Sequence, residues 1–144
     1  MWMFEKELMS KILLDTNVLI YSIDEGSKYF EKAHNIFSEQ IELYTTSKNL
    51  SEFLSVITRI PQNPLSLKDA LLIIEDFKNA MTILYPSEES FLVFIDLLQK
   101  YQPIGLQIHD YEIISIGMAN QVSTIATFNE KDFKKVKEIK LYII

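Results

Sequence analysis

Cysteine is absent from the 144 residues. That excludes disulfides, thiolate nucleophiles and cysteine-ligated zinc. Only three glycines and four prolines punctuate the chain, and no internal repeat, low-complexity tract or linker is visible. The whole length, 1–144, therefore reads as a single domain, long enough to bury a sizeable core. No apolar run approaches the roughly 18 residues that span a bilayer. The opening MWMFEKELMSK lacks a basic segment followed by a long apolar stretch, so no signal peptide is expected and a cytoplasmic location follows by default. A surplus of positive charge is missing as well. The net charge of −6 counts against a protein that holds nucleic acid mainly by neutralising phosphates, and suits a cluster of acids that takes up cations.

Short strands alternate with helices along the chain. Lys11 to Asp15 (KILLD) reads as a buried strand. Residues 1–10 ahead of it read as a frayed extension, with Met9 an alternative start. A helical turn covers Asn17–Ile23, and a helix Tyr29–Gln40 carries Phe30, Ala33 and Phe37 at helical spacing. Leu43–Thr45 is a second strand, and Ser47–Ile60 a helix with Leu50, Phe53, Leu54 and Ile57 on one stripe. After the PQNP break, Ser66 caps a helix predicted to turn Leu67, Ala70, Leu71, Ile74 and Phe77 inward. Met81–Tyr85 is a third strand. Ser87 caps a helix to about Tyr101, with Phe91, Phe94, Ile95 and Leu98 on one face. His109–Gln121 is helical, Ser123–Thr127 a strand, Asp132–Val136 a short helix and Lys140–Ile144 the last strand. The alternation predicts an α/β three-layer sandwich: a mainly parallel sheet, the Lys11 strand central, helices on both faces. Ligands of such sheets sit outside the carboxyl ends of the strands.

Several polar residues fall at that edge. Asp15 ends the first strand, with Thr16 and Asn17 behind it. A carboxylate there fits a ligand-binding edge and equally fits the cap of the next helix. Asp110 shares a helical face with Ile113, Ile114 and Gly117, and a charge on an apolar stripe is costly unless it is paired or holds a metal. Its place in the first turn also suits the helix dipole. Asp132 follows the strand Ser123–Thr127 by a short loop that also offers Thr127, Asn129 and Glu130, a pattern that a solvated loop with a helix-starting acid explains better by itself. Periodicity places Glu52 nearly opposite the apolar stripe of its helix, where most glutamates are solvated. His34, mid-helix among polar neighbours, and His109, beside Asp110, are poor candidates for catalysis.

Taken together, KILLDTNVLIYSID, the segment Ser47-Lys48-Asn49-Leu50-Ser51-Glu52-Phe53, His109-Asp110 with Gly117-Met118-Ala119, and Thr127-Phe128-Asn129 with Asp132-Phe133 resemble the four motifs of PIN domains, in order, from about residue 11 to the end. The single-domain length is similar to that of the VapC-type toxins of this family. The resemblance implies an acidic site of Asp15, Glu52, Asp110 and Asp132, with Glu130 the alternative for the fourth acid. It implies Thr16, Asn17, Ser47, Thr127 and Asn129 as supporting polar groups.

It also implies a metal-dependent endoribonuclease, one half of a toxin–antitoxin pair, with an RNA substrate, an antitoxin protein as partner and a homodimeric state. Clustered carboxylates suit Mg2+ or Mn2+. Two such ions activate a water and stabilise the leaving oxygen of a phosphodiester, giving 5′-phosphate and 3′-hydroxyl ends. Arg59 is the only arginine, so contacts to RNA would rest on lysines such as Lys131, Lys134, Lys135 and Lys137. A haloacid-dehalogenase-like phosphatase also begins with a strand-ending Asp, but it wants a second Asp two residues on, where this chain has Asn17. The other alternative is a catalytically silent PIN-fold module that binds protein or RNA. The presence of all four acids argues against it.

Overall fold

The structure is a computed structural model that describes residues 10–144. The expectations for the N-terminal extension and for Met9 fall on residues 1–9, outside the described ones. Five strands, β1 (Lys11–Leu14), β2 (Glu42–Thr46), β3 (Thr82–Leu84), β4 (Thr124–Ala126) and β5 (Lys140–Tyr142), form one sheet in the order β3-β2-β1-β4-β5. Every pairing is parallel. The apolar KILL run takes the centre because only there are both faces of a strand covered. Ile12 and Leu14 enter one core cluster and Leu13 the other. Burying each of these side chains is worth about 1.5–3 kcal/mol, far more than any edge position would return.

The chain moves one way across the sheet from β1 to β3, then crosses back over β1 to β4 and β5. Right-handed crossovers send the helices of the two directions to opposite faces. Helices α1 (Thr16–Tyr21), α2 (Phe30–Asn35), α3 (Ser47–Ile57) and α4 (Leu67–Ala80) therefore cover the face of Ile12 and Leu14, through Val18, Ala33, Phe53 and Phe77. Helices α5 (Glu88–Tyr101), α6 (Gln107–Ala119) and α7 (Glu130–Phe133) cover the face of Leu13, through Leu97, Ile114, Ile116 and Phe133. The three-layer sandwich expected from the sequence is the fold found. Among the described residues, no helix is long and apolar enough to cross a membrane.

The differences are local. The helix expected at Tyr29–Gln40 ends at Asn35 and tightens into a 3-10 turn, Ile36–Ser38. Helix α6 begins at Gln107 rather than His109, and α7 spans Glu130–Phe133 rather than Asp132–Val136. The last strand stops at Tyr142. Ser66 and Ser87 do cap their helices, each accepting from the backbone N–H three residues on. Leu67, Leu71 and Phe91, expected to face inward, are exposed. Helix α4 holds four consecutive apolar residues, Leu71 to Ile74, so two stripes compete, and Ala70, Ile73, Ile74 and Phe77 take the core side. In α5 the packed face is Val93, Phe94, Leu97 and Leu98, which leaves Phe91 outside.

Candidate active site

The strand order reverses between β1 and β4, and the carboxyl ends of these two strands open a crevice. Asp15 stands at the end of β1. Its backbone N–H donates to the Ala126 carbonyl (3.0 Å), which carries the strand pairing one residue further. Its Oδ1 accepts from the Thr16 N–H (2.9 Å), so Asp15 is also the N-cap of α1. The two readings of this residue are compatible. A cap at the start of the first crossover helix is already at the ligand-binding edge.

Thr127, just past β4, donates to Asp15 Oδ2 (2.8 Å) across the crevice. Asn17 donates to Thr127 Oγ1 (3.2 Å) and accepts from the Phe128 N–H (3.1 Å), which locks the end of β4 to the start of α1. From the other side, Asn49 donates to Thr16 Oγ1 (2.9 Å) and to Asp15 Oδ1 (3.4 Å). Asn49 is itself fixed by a capping box with Thr46 at the start of α3. Asn17 also donates to Asp15 Oδ2 (3.5 Å), so Asp15 is buried and held by four donors, Thr16, Asn17, Asn49 and Thr127.

The other three acids come from three further elements. Glu52, on the solvent side of α3, looks onto the crevice. Asp110 does so from the first turn of α6, half-buried beside buried Tyr111, Ile113 and Ile114. Together with Asp15, Asn49 and His109 they line a cleft of about 390 Å³. Asp132, in α7, accepts from Asn129 Nδ2 (2.7 Å) and Gln107 Nε2 (3.4 Å). Lys135 donates to the same Gln107 (3.3 Å).

Asp132 does not line this cleft, and its charge is felt there at Asp110. Burial, and then the negative charges of Asp15, Asp132 and Glu52, push the Asp110 carboxyl up to about 7, partly opposed by Lys135. Burial also raises Asp15, against its hydrogen bonds from Thr127, Thr16 and Asn49, and the charge of Glu52 adds to the rise. Glu130 lines a neighbouring groove with Tyr29 and Lys32 rather than the cleft itself.

Of the supporting polar residues, Thr16, Asn17, Thr127 and Asn129 surround Asp15 and Asp132 as described. Ser47 begins α3 but does not line the cleft, and the hydrogen bonds at that junction belong to Thr46 and Asn49. Asn49 and Gln107 were not singled out from the sequence. For Asn49 a signal existed: Thr46-x-x-Asn49 has capping-box spacing directly after a strand. Gln107 carries no such signal.

The chain matches the PIN domain family over residues 12–139. No curated protein sequence matches it. Among solved structures, it resembles VapBC2 of Rickettsia felis bound to a DNA fragment from its promoter, at 19% identity over 92% of this chain and 97% of that one, with a TM-score of 0.68. DNA-bound VapBC of Salmonella typhimurium is similar at 20% identity, 93% and 98% coverage and a TM-score of 0.66. VapC20 of Mycobacterium tuberculosis, described as a toxin that cleaves the sarcin–ricin loop, has 10% identity, 86% and 94% coverage and a TM-score of 0.68. At these identities the likeness is one of fold, whereas the sequence match spans nearly the whole of the described chain. This chain belongs to the PIN domain family.

Proposed function

We propose that the protein is a divalent-metal-dependent endoribonuclease and the toxin of a toxin–antitoxin pair. The observation that carries the reading is geometric: Asp15, Glu52 and Asp110, from three different elements, line one cleft at the switch point of the sheet, and burial with the neighbouring acids pushes the Asp110 carboxyl up to about 7. Four carboxylates held this way are costly for the fold and useful to a cation. The donors are all oxygen, which fits Mg2+ or Mn2+. Among the described residues no three acidic or histidine side chains converge closely enough to enclose one ion directly. Asp15, Glu52, Asp110 and Asp132 would hold the metal, which when bound activates water for attack on a phosphodiester.

The protein's own residues do the rest. Thr127, Asn17 and Asn49 orient Asp15, and Asn129 and Gln107 orient Asp132, so that neither carboxylate must reorganise during the reaction. With burial and the neighbouring acids pushing its carboxyl up to about 7, Asp110 would favour a cation over its proton. The fold neighbours support the reading in kind, through VapC20 as a sarcin–ricin loop cleaving toxin and a toxin–antitoxin complex of Klebsiella pneumoniae.

Two measurements test it. Millimolar Mn2+ or Mg2+, at matched ionic strength, raises the melting temperature, because an ion that binds only the folded state stabilises it by about 2.7 kcal/mol at a hundred times its Kd. The same ions switch on cleavage of a labelled RNA to products with 5′-phosphate ends. A protein that neither melts higher nor cuts would be a silent binding module.

The toxin label rests on a partner. On this reading, expression of the chain is expected to arrest growth, and a small protein encoded next to it is expected to relieve the arrest, to co-purify with it and to place a basic side chain among the acids. A homodimer and a cytoplasmic location belong to the same reading, and exposed Phe91 and Leu92 of α5 offer apolar surface for self-association. Failure of the neighbouring protein to associate would remove the toxin label and leave the nuclease.

A further inference from the structure

A second groove of about 340 Å³ adjoins the acidic cleft, and Asn129 lines both. Its chemistry is the opposite of the cleft's. Tyr29 and Phe128 form one wall, their ring centroids 4.8 Å apart, and Tyr21 packs edge-on behind Phe128 at 5.3 Å. Lys32 and Lys131 flank the wall, and the Lys28 ammonium lies 5.1 Å from the Tyr29 ring centroid. None of these lysines is within ion-pair distance of an acid among the described residues. Glu130 is the one acidic side chain on the lining.

The groove is also rigidly tied to the acids. Thr127 accepts from the Asn129 N–H (3.0 Å) and donates to Asp15, while the Phe128 N–H is held by Asn17. Whatever rests on Phe128 is therefore positioned relative to Asp15. Unpaired cations beside an aromatic wall form the combination that holds single-stranded nucleic acid, phosphates on the lysines and a base on the ring. In a protein of net charge −6, this patch runs against the overall sign and abuts the centre where a phosphodiester would be cut.

We propose that this groove is a subsite for one unpaired nucleotide of the RNA strand next to the scissile phosphate. Its base rests against Tyr29 and Phe128, and its flanking phosphates lie against Lys32 and Lys131. The proposal rests on the ribonuclease reading. It implies a preference for single-stranded RNA over duplex, because a stacked and paired base cannot reach the wall.

Equilibrium binding separates the two ideas. A fluorescein-labelled single-stranded RNA of about a dozen nucleotides is titrated in EDTA, where no cleavage occurs, against wild type, Tyr29→Ala, Tyr29→Phe, Lys32→Ala and Lys131→Ala over a range of salt. Losing one stacked base raises Kd by roughly five- to a hundredfold in Tyr29→Ala, while Tyr29→Phe keeps most of the affinity. Each lysine variant lowers the slope of log K against log salt by about 0.7, a change that a merely structural role would not make. The lysine variants keep the proposal falsifiable if Tyr29→Ala fails to fold. Wild type that does not bind the strand, or variants that bind it as wild type does, would overturn the subsite. Variants that keep RNA but lose the partner protein would assign the groove to that protein instead. A parallel cleavage assay with Mg2+ keeps the two readings apart. Wild type that does not cut sinks the nuclease, whereas an active wild type and variants with unchanged KM sink only the groove.

Discussion

Asp110→Asn lowers the rate of RNA cleavage by at least about a hundredfold and leaves the metal-free protein as stable as wild type or more so. Asparagine keeps the size of the side chain, and it suits the first turn of α6 nearly as well. The substitution deletes a charge that sits among Asp15, Asp132 and Glu52, so it removes both the means of holding a hard cation and a source of repulsion. The pH dependence isolates this residue. The folded-state carboxyl is raised to about 7, so between the ordinary carboxylate range and about 7 the folded protein holds a proton that the unfolded chain has released. The Asp110 contribution to the stability of metal-free wild type therefore rises as pH falls from about 7 towards about 4, and is flat above. The raised Asp15 carboxyl contributes with the same sign in both proteins. In Asp110→Asn the part of the slope due to residue 110 vanishes, so the difference between the two proteins in denaturant melts shrinks on acidification. A folded Asp110→Asn protein that cuts RNA at the wild-type rate, or melts with an unchanged pH slope, would remove Asp110 from the site.

That residue was legible in the sequence because its anomaly is local. A carboxylate four residues or fewer from Ile113 and Ile114 on one helix requires an explanation before any tertiary structure is known. Asp15 was legible for a similar reason, at the end of an apolar run too short for anything but a buried strand. Glu52 was not. On a helical wheel it is an ordinary solvated glutamate, and the solvent side of α3 becomes the wall of a cleft only after α6 packs on the opposite face of the sheet. The bond from Thr127 to Asp15 spans 112 residues and those from Asn49 to Asp15 and Thr16 span 34 and 33. No local pattern contains them.

The fold followed the same division. The position of β1 was readable because one strand is apolar on both faces. Periodicity points Leu67, Leu71 and Phe91 inward, yet they are exposed, because α4 and α5 carry more apolar residues than one stripe needs. Periodicity alone cannot choose between two adequate stripes, and the choice falls to what lies opposite in the folded core.

Gly117→Ala lowers stability by about 2 kcal/mol, and the melting temperature by roughly 6 °C for a chain of this size. Glycine here is a matter of space, not of backbone angle. A Cβ at residue 117 would lie 2.6 Å from the Val122 carbonyl oxygen and 3.0 Å from Leu13 Cδ1. The leucine tip can move a little. The carbonyl belongs to the backbone that reverses from α6 into β4, and the Val122 N–H is simultaneously bonded to the Gly117 carbonyl (2.8 Å). Relief of the contact means pulling α6 away from β4 and β1, which opens the core around Leu13, Ile116 and Ile125. Overpacking of this kind costs about 1–3 kcal/mol, towards the upper end when the obstructing atom is backbone. Alanine recovers up to about 1 kcal/mol of helix propensity, too little to reverse the sign. Gly26→Ala is the control. Its Cβ would meet only Asp24 Oδ1 at 3.5 Å, an ordinary contact, so its stability holds or rises by a few tenths of a kcal/mol. The displacement of α6 also moves Asp110 relative to Asp15, so metal-induced stabilisation of the Gly117→Ala protein falls short of the wild-type gain. Melts of the three proteins with and without Mn2+ decide the matter. A Gly117→Ala protein as stable as Gly26→Ala would mean that the reversal after α6 is loose and that this helix is not what fixes Asp110.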